Sequence, residues 1–180
     1  MLIVLGGLPG TGKTTIAREL ARQLGAVHLR IDSIEQALRN RGLAARSMDD
    51  SGYCVAYAIA ADSLGIGRTV IAHSVNPLPV TRNAWAAVAN RTGIRFIEIE
   101  VVCSDVNEHR RRIETRESDI PGLELLTWQE IVSREYRPWG REHVGSIRPV
   151  KASNKVCRRF ERRLRRKESR IRAWRSKAKT

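Results

Sequence analysis

The chain has 180 residues, 42% of them hydrophobic, and carries 33 Lys+Arg against 19 Asp+Glu for a formal net charge of +14. That length suits one domain with a sizeable core and is cramped for two. No apolar run approaches the ~18 residues of a membrane span, no basic n-region opens the chain, and Cys54, Cys103 and Cys157 lack paired or metal-ligand spacing. A membrane-spanning protein, a disulfide scaffold and a zinc module are thereby excluded, and the expectation is a cytoplasmic protein with reduced thiols, Cys54 and Cys103 buried.

Leu2-Ile3-Val4-Leu5 is a continuous apolar run closed by Gly6-Gly7, the pattern of a strand buried on both faces of a parallel sheet. Gly7-Leu8-Pro9-Gly10-Thr11-Gly12-Lys13-Thr14 matches G-x-x-x-x-G-K-[ST], a P-loop. Ile16, Ala17, Leu20, Ala21 and Leu24 then recur at helical spacing, so the motif lies between a strand and a helix. Its glycines let successive N–H groups turn toward anionic oxygens, and the helix N-terminus adds partial positive charge. Nucleotide binding therefore falls to Gly7, Leu8, Pro9, Gly10, Thr11, Gly12, Lys13, Thr14 and Thr15. Lys13 is expected to reach the β and γ phosphates of ATP, and the Thr14 hydroxyl to hold Mg²⁺.

Val27–Ile31 reads as a second strand ending at Asp32, a carboxylate in the crevice where open α/β sheets bind ligands. Asp32 there accepts a hydroxyl proton or helps to order Mg²⁺; alternatively Asp32 or Ser33 caps the helix 34–39. His28, on the strand's flank, reads as structural. Residues 40–50 form a loop, and Tyr53, Val55, Ala56, Ile59, Ala60 and Leu64 make the apolar face of a helix ending at Gly65. Thr69–Ala72 is a buried third strand, and His73, Ser74 and Asn76 after it are either substrate or magnesium contacts or turn residues. The helix after Pro79 brings Arg82 toward the same crevice, and Ile94–Val102 is a fourth strand.

Arg112 and Arg116 stand at i, i+4 in a helical segment after Asp105, where two guanidinium groups could clamp a transferring phosphoryl group. The alternative is a solvated face beside Glu108, Glu114 and Glu117. Pro121-Gly122 breaks the chain and Trp128–Tyr136 resumes a helix, so residues 105–127 read as a lid.

The P-loop, the strand end Arg30-Ile31-Asp32-Ser33-Ile34, the segment Thr69–Pro77 with Thr81-Arg82, and the arginine-rich lid together resemble the AAA_33-type P-loop kinases. That group is similar to gluconate kinase, adenylylsulfate kinase, chloramphenicol phosphotransferase and the kinase domain of polynucleotide kinase. The resemblance covers residues 1–143 and implies a P-loop NTPase fold, a three-layer α/β/α sandwich whose parallel sheet has the order 2-3-1-4-5. It implies ATP and Mg²⁺ as cofactors and phosphoryl transfer to the hydroxyl of a small molecule. Carried over position by position, Lys13 and Thr14 serve ATP and magnesium, Asp32 is the base, and Arg112 and Arg116 belong to the lid. Two positions depart from the group: its third strand usually ends in an acidic residue where this chain has His73, and Glu35 replaces an arginine of the D-x-[IL]-R pattern.

Residues 141–180 hold 16 of the 33 basic and 3 of the 19 acidic residues, leaving residues 1–140 nearly neutral. Val144–Val150, where a fifth strand is due, contains Pro149 and makes a poor one. Val156, Phe160 and Leu164 then have near-helical spacing among arginines, so residues 144–180 read as a basic tail with a C-terminal helix. Residues 151–180 are a nucleic-acid-binding arm, a helix packed on the sheet with solvated arginines, or the product of a shifted reading frame. The alternatives to a small-molecule kinase are accordingly a nucleotide-dependent nucleic-acid-binding protein, a polynucleotide 5′-hydroxyl kinase, and an ATP-binding protein without turnover.

Overall fold

The structure, a computed structural model, describes residues 1–43 and 50–139. Its centre is β1 (Leu2–Gly6), every residue of which is buried. Side chains alternate along a strand: Ile3 and Leu5 enter one core cluster with Ile16, Ala17 and Leu20 of α1 (Lys13–Leu24), whereas Leu2 and Val4 enter a second on the opposite face. An apolar run without alternation is what a strand covered on both faces requires. Each large aliphatic side chain so buried contributes about 1.5–3 kcal/mol.

β2 (Val27–Arg30) leads directly into α2 (Ile31–Asn40), and α3 (Ser51–Gly65) follows. Then come β3 (Val70–His73), α4 (Pro79–Arg91), β4 (Phe96–Glu100), α5 (Val106–Thr115) and the short α6 (Trp128–Val132). The four strands are parallel in the order β2-β3-β1-β4, with Leu2 opposite Val70 on one side and Phe96 on the other. Helix α1 covers one face; Ala56, Ala60 and Leu64 of α3 and Trp85, Val88 and Ala89 of α4 cover the other. This is the three-layer P-loop NTPase arrangement, and every strand ends toward the same crevice. The fifth-strand position 144–150 and the basic tail lie outside the described residues. No helix among the described residues is long and apolar enough to cross a membrane.

Several local readings need correction. Helix α2 begins at Ile31 with Arg30 at its N-cap, so neither Asp32 nor Ser33 caps it; Asp32 lies in the first turn, where a carboxylate suits the helix dipole. The buried stripe of α3 is Gly52, Ala56, Ala60 and Leu64 at i, i+4 spacing, and Val55 and Ile59 are exposed, because small residues let α3 lie close against its neighbours. Cys54 is exposed and Cys103 partly so, and neither is a core residue. The helix expected to run to Tyr136 stops at Val132, after a capping box in which Thr127 and Glu130 satisfy each other's backbone N–H groups.

Beyond α6 the chain returns to the sheet. Glu100, at the end of β4, accepts from the Tyr136 hydroxyl at 2.7 Å and from the Trp139 N–H at 3.3 Å. The Trp139 indole packs against Gly6, where any Cβ would collide with it.

Candidate functional site

The P-loop connects β1 to α1 and is held from several sides. Gly7 donates to the Val75 carbonyl at 3.0 Å, and Thr11 turns inward to donate to the Leu8 carbonyl at 2.9 Å. His109 of α5 reaches across to Pro9; because a carbonyl can only accept, Nε2 carries the proton of this 2.7 Å bond. Ile113, one turn on, closes against Gly10, whose φ of +79° and missing Cβ permit the approach. Gly12, at φ +99°, turns the chain into α1.

Lys13 is 8% exposed, and its ammonium donates to the Leu8 carbonyl at 2.8 Å. Burial lowers its pKa from 10.5 to about 8; Asp32 opposes that shift, while Arg116 and Arg30 add to it. Asp32 only partly offsets burial and the two guanidinium groups, so the ammonium is incompletely compensated, and a polyphosphate would supply the missing countercharge.

Lys13 opens onto a cleft of about 1730 Å³ lined on one side by Leu8, Pro9, Gly10, Gly12, Thr14 and Thr15. Gly7 and Thr11 shape the loop from behind and do not line it. Asp32 stands on the cleft wall, 40% exposed at its side chain, with Arg30 Nε 3.8 Å from its Oδ2. Arg112 and Arg116 line the same cleft but do not form a helical pair, because α5 ends at Thr115 and Arg116 is extended. Arg112 donates to Glu108 at 2.7 Å, as the solvated-face alternative anticipates. Arg116 is half-buried, held down in pKa by that burial and pulled the other way by Asp32.

The structure therefore brings Lys13, Thr14, Asp32, Arg112 and Arg116 to one cleft. His73, Asn76 and Arg82 do not reach it. His73 is buried, stacked on His28 with ring centroids 5.0 Å apart, and burial depresses its pKa to about 2 with His28 and Lys13 adding to the effect. Asn76 takes φ +51° in the turn after β3, a conformation asparagine tolerates, and its N–H donates to the Tyr53 hydroxyl. Arg82 lies under the Trp139 ring, 5.5 Å from its centroid, and donates to the Pro77 and Arg137 carbonyls. Its charge is spent on holding the returning chain.

Sequence reasoning missed Arg18, Arg30 and Asp119 in the cleft and His109 behind the P-loop. Asp119 joins the loop after α5 to Arg18 of α1 and, at 2.7 Å, to Arg30 of β2. Arg18 lies one turn beyond Thr14, a spacing that signals the same helix face; nothing in the sequence pairs Asp119 with residues about a hundred positions earlier.

The profile of the AAA_33 family, described as an AAA domain, matches residues 2–133. A search of curated proteins finds no match. Among solved structures, Kti12 from Chaetomium thermophilum in complex with ADP-AlF3 is 24% identical, with a TM-score of 0.65 over 91% of this chain and 97% of that one. The Mycobacterium tuberculosis APS kinase CysC in complex with AMPPNP and APS is 18% identical, TM-score 0.61, over 91% and 96% of the two chains. A gluconokinase from Sinorhizobium meliloti 1021 is 15% identical, TM-score 0.58, over 87% and 86%. At such identities the likeness is one of fold.

Proposed function

The chain belongs to the AAA_33 family of AAA domains, and from that premise we propose that it is an ATP-dependent kinase transferring the γ-phosphate to a hydroxyl of a small molecule. The observation that carries the reading is the shared cleft, which the buried Lys13 ammonium, the Asp32 carboxylate, Arg112 and Arg116 all line. Structures of this fold include an APS kinase in complex with AMPPNP and a gluconokinase, and Kti12 in complex with ADP-AlF3.

In this reading Gly10 and Gly12 leave the P-loop open to phosphate oxygens, and Lys13 neutralises them. ATP brings the transferable phosphoryl group. Asp32 orients the acceptor hydroxyl and takes its proton. Arg116, less committed than Arg112 to a carboxylate of its own, faces the charge that develops on the transferring group. The segment 105–127 acts as a lid, excluding water over the P-loop. Among the described residues no group of three or more His, Cys, Asp or Glu could hold a metal. The residues present nevertheless suit Mg²⁺, which keeps several waters and takes few protein ligands; the Thr14 hydroxyl and Asp32 would be those ligands. His73, buried and neutral, takes no part. The reduced thiols fit a cytoplasmic setting.

The test is transfer of labelled γ-phosphate from ATP to sugars, nucleosides, aminoglycosides and 5′-hydroxyl oligonucleotides. Asp32→Asn should retain ATP binding and lose about 10²–10⁴ in rate, and Lys13→Ala should lose both. Nucleotide bound without transfer to any acceptor would leave an ATP-binding protein without turnover. The charge of residues 141–180 favours one second reading, a polynucleotide 5′-hydroxyl kinase; oligonucleotide labelling that falls with salt and with removal of residues 151–180 would select it.

A further inference from the structure

The cleft holds seven basic side chains, and what each is bound to separates them. Arg39 is paired with Glu35 of its own helix and Arg112 with Glu108 of its own helix. Arg18 and Arg30 are different: the carboxylate they share, Asp119, comes from the distant segment after α5. Arg30 is 13% exposed at its side chain, and its buried Nε has no hydrogen-bond partner. Asp119, 46% exposed, can leave without unpacking a core residue.

One carboxylate gripped by two guanidinium groups is a working demonstration of what that spot binds. Guanidinium is permanently charged and planar, and recognises carboxylate, sulfate and phosphate alike. The spot adjoins the proposed base, because the same Arg30 guanidinium that holds Asp119 also lies 3.8 Å from Asp32. A small molecule could thus present a hydroxyl to Asp32 and a negative group to Arg30 and Arg18 together.

We infer that Arg30 and Arg18 bind an anionic group of the phosphoryl acceptor, and that Asp119 occupies this site as an internal stand-in until the acceptor displaces it. The inference rests on the kinase reading for the word acceptor, and on geometry alone for the anion site. It assigns the substrate class as a small molecule that carries both a hydroxyl and an anionic group, carboxylate or phosphate. It also gives Asp119 a competitive role: the lid's carboxylate sets how much anion is needed to enter.

The site is tested first without turnover, using sulfate as the probe. Sulfate is titrated by calorimetry into the full chain carrying Lys13→Ala, which silences the P-loop. Adding Asp119→Asn should tighten sulfate binding at least tenfold, and adding Arg30→Gln or Arg18→Gln to that chain should abolish it. Arg18 is half exposed, so its variant tests the site even where Arg30→Gln melts early. Equal affinity in all four chains, or no binding with Asp119→Asn, overturns the inference. The acceptor is then read by transfer from labelled ATP to glycerol, D-glycerate and glycerol 3-phosphate, and to sorbitol, D-gluconate and sorbitol 6-phosphate. Label should reach a charged member at least tenfold faster than its neutral counterpart, with carboxylate and phosphate arms told apart; equal labelling of the neutral member overturns the substrate class. AMP-PNP binding to the unaltered chain is measured alongside. Sulfate held by Arg30 in a chain that ignores AMP-PNP would sink the kinase reading and keep the anion site.

Discussion

Replacing Lys13 with methionine removes an ammonium while keeping the length and packing of its stem. The folded chain holds that ammonium near pKa 8 instead of 10.5, chiefly through burial. The difference corresponds to roughly 3 kcal/mol of destabilisation at neutral pH. Losing the hydrogen bond to Leu8 offsets about 1 kcal/mol of it, so ligand-free Lys13→Met should be about 2 kcal/mol more stable than wild type at pH 7. Below pH 8 both folded and unfolded chains carry the proton and the penalty is complete. Between pH 8 and 10.5 only the unfolded chain keeps it, so wild-type stability should rise across that window relative to the variant. Urea denaturation of both proteins at pH 7, 9 and 10.5, without nucleotide, reads the effect. ATP with magnesium at about 100 times its Kd should then add about 2.7 kcal/mol to the wild type alone and remove its alkaline rise. A variant no more stable than wild type at pH 7, or two parallel pH profiles, would refute the claim that burial outweighs Asp32 and leaves this ammonium undercompensated until nucleotide binds.

Tyr136→Phe removes a hydrogen bond to the Glu100 carboxylate and should cost about 1.5–3 kcal/mol in urea denaturation. Gly10→Ala forces a Cβ to 2.5 Å from the Ile113 methyl at φ +79°, and should destabilise by about 1–3 kcal/mol and weaken nucleotide binding; thermal melts with and without ATP check both. His73, buried with a pKa lowered to about 2, stays neutral in the folded chain while the unfolded chain protonates below about 6.5. Stability should therefore fall as pH drops through that value, and His73→Leu should flatten the acid limb of a pH-melting profile.

Residues 2–24 are legible in sequence because each level agrees: an apolar run, a loop that only glycine can form, and a 3.6-residue repeat. The strand order follows from the same resemblance. Legibility fails where tertiary contact overrides local pattern. Arg82 has the type and position of a substrate ligand, yet Trp139, more than fifty residues later, covers it and claims its charge. Val55 and Ile59 read as core by hydropathy, but α3 packs through its smaller residues. Arg112 and Arg116 count as i, i+4 only while the helix continues, and it ends between them. Arg30 and Asp119 carry no signal at all, since a salt bridge across the cleft exists only once the sheet and lid are folded.

The packing of Trp139 on Gly6 sets where this unit can be cut. Family similarity ends at residue 133, ahead of the indole that roofs the central strand. A fragment trimmed to that similarity would open a slot above Gly6, strip Glu100 of both its donors, and leave the Arg82 guanidinium without the Arg137 carbonyl. Any fragment meant to keep these contacts must therefore extend through Trp139, an aromatic keystone beyond the region of family similarity.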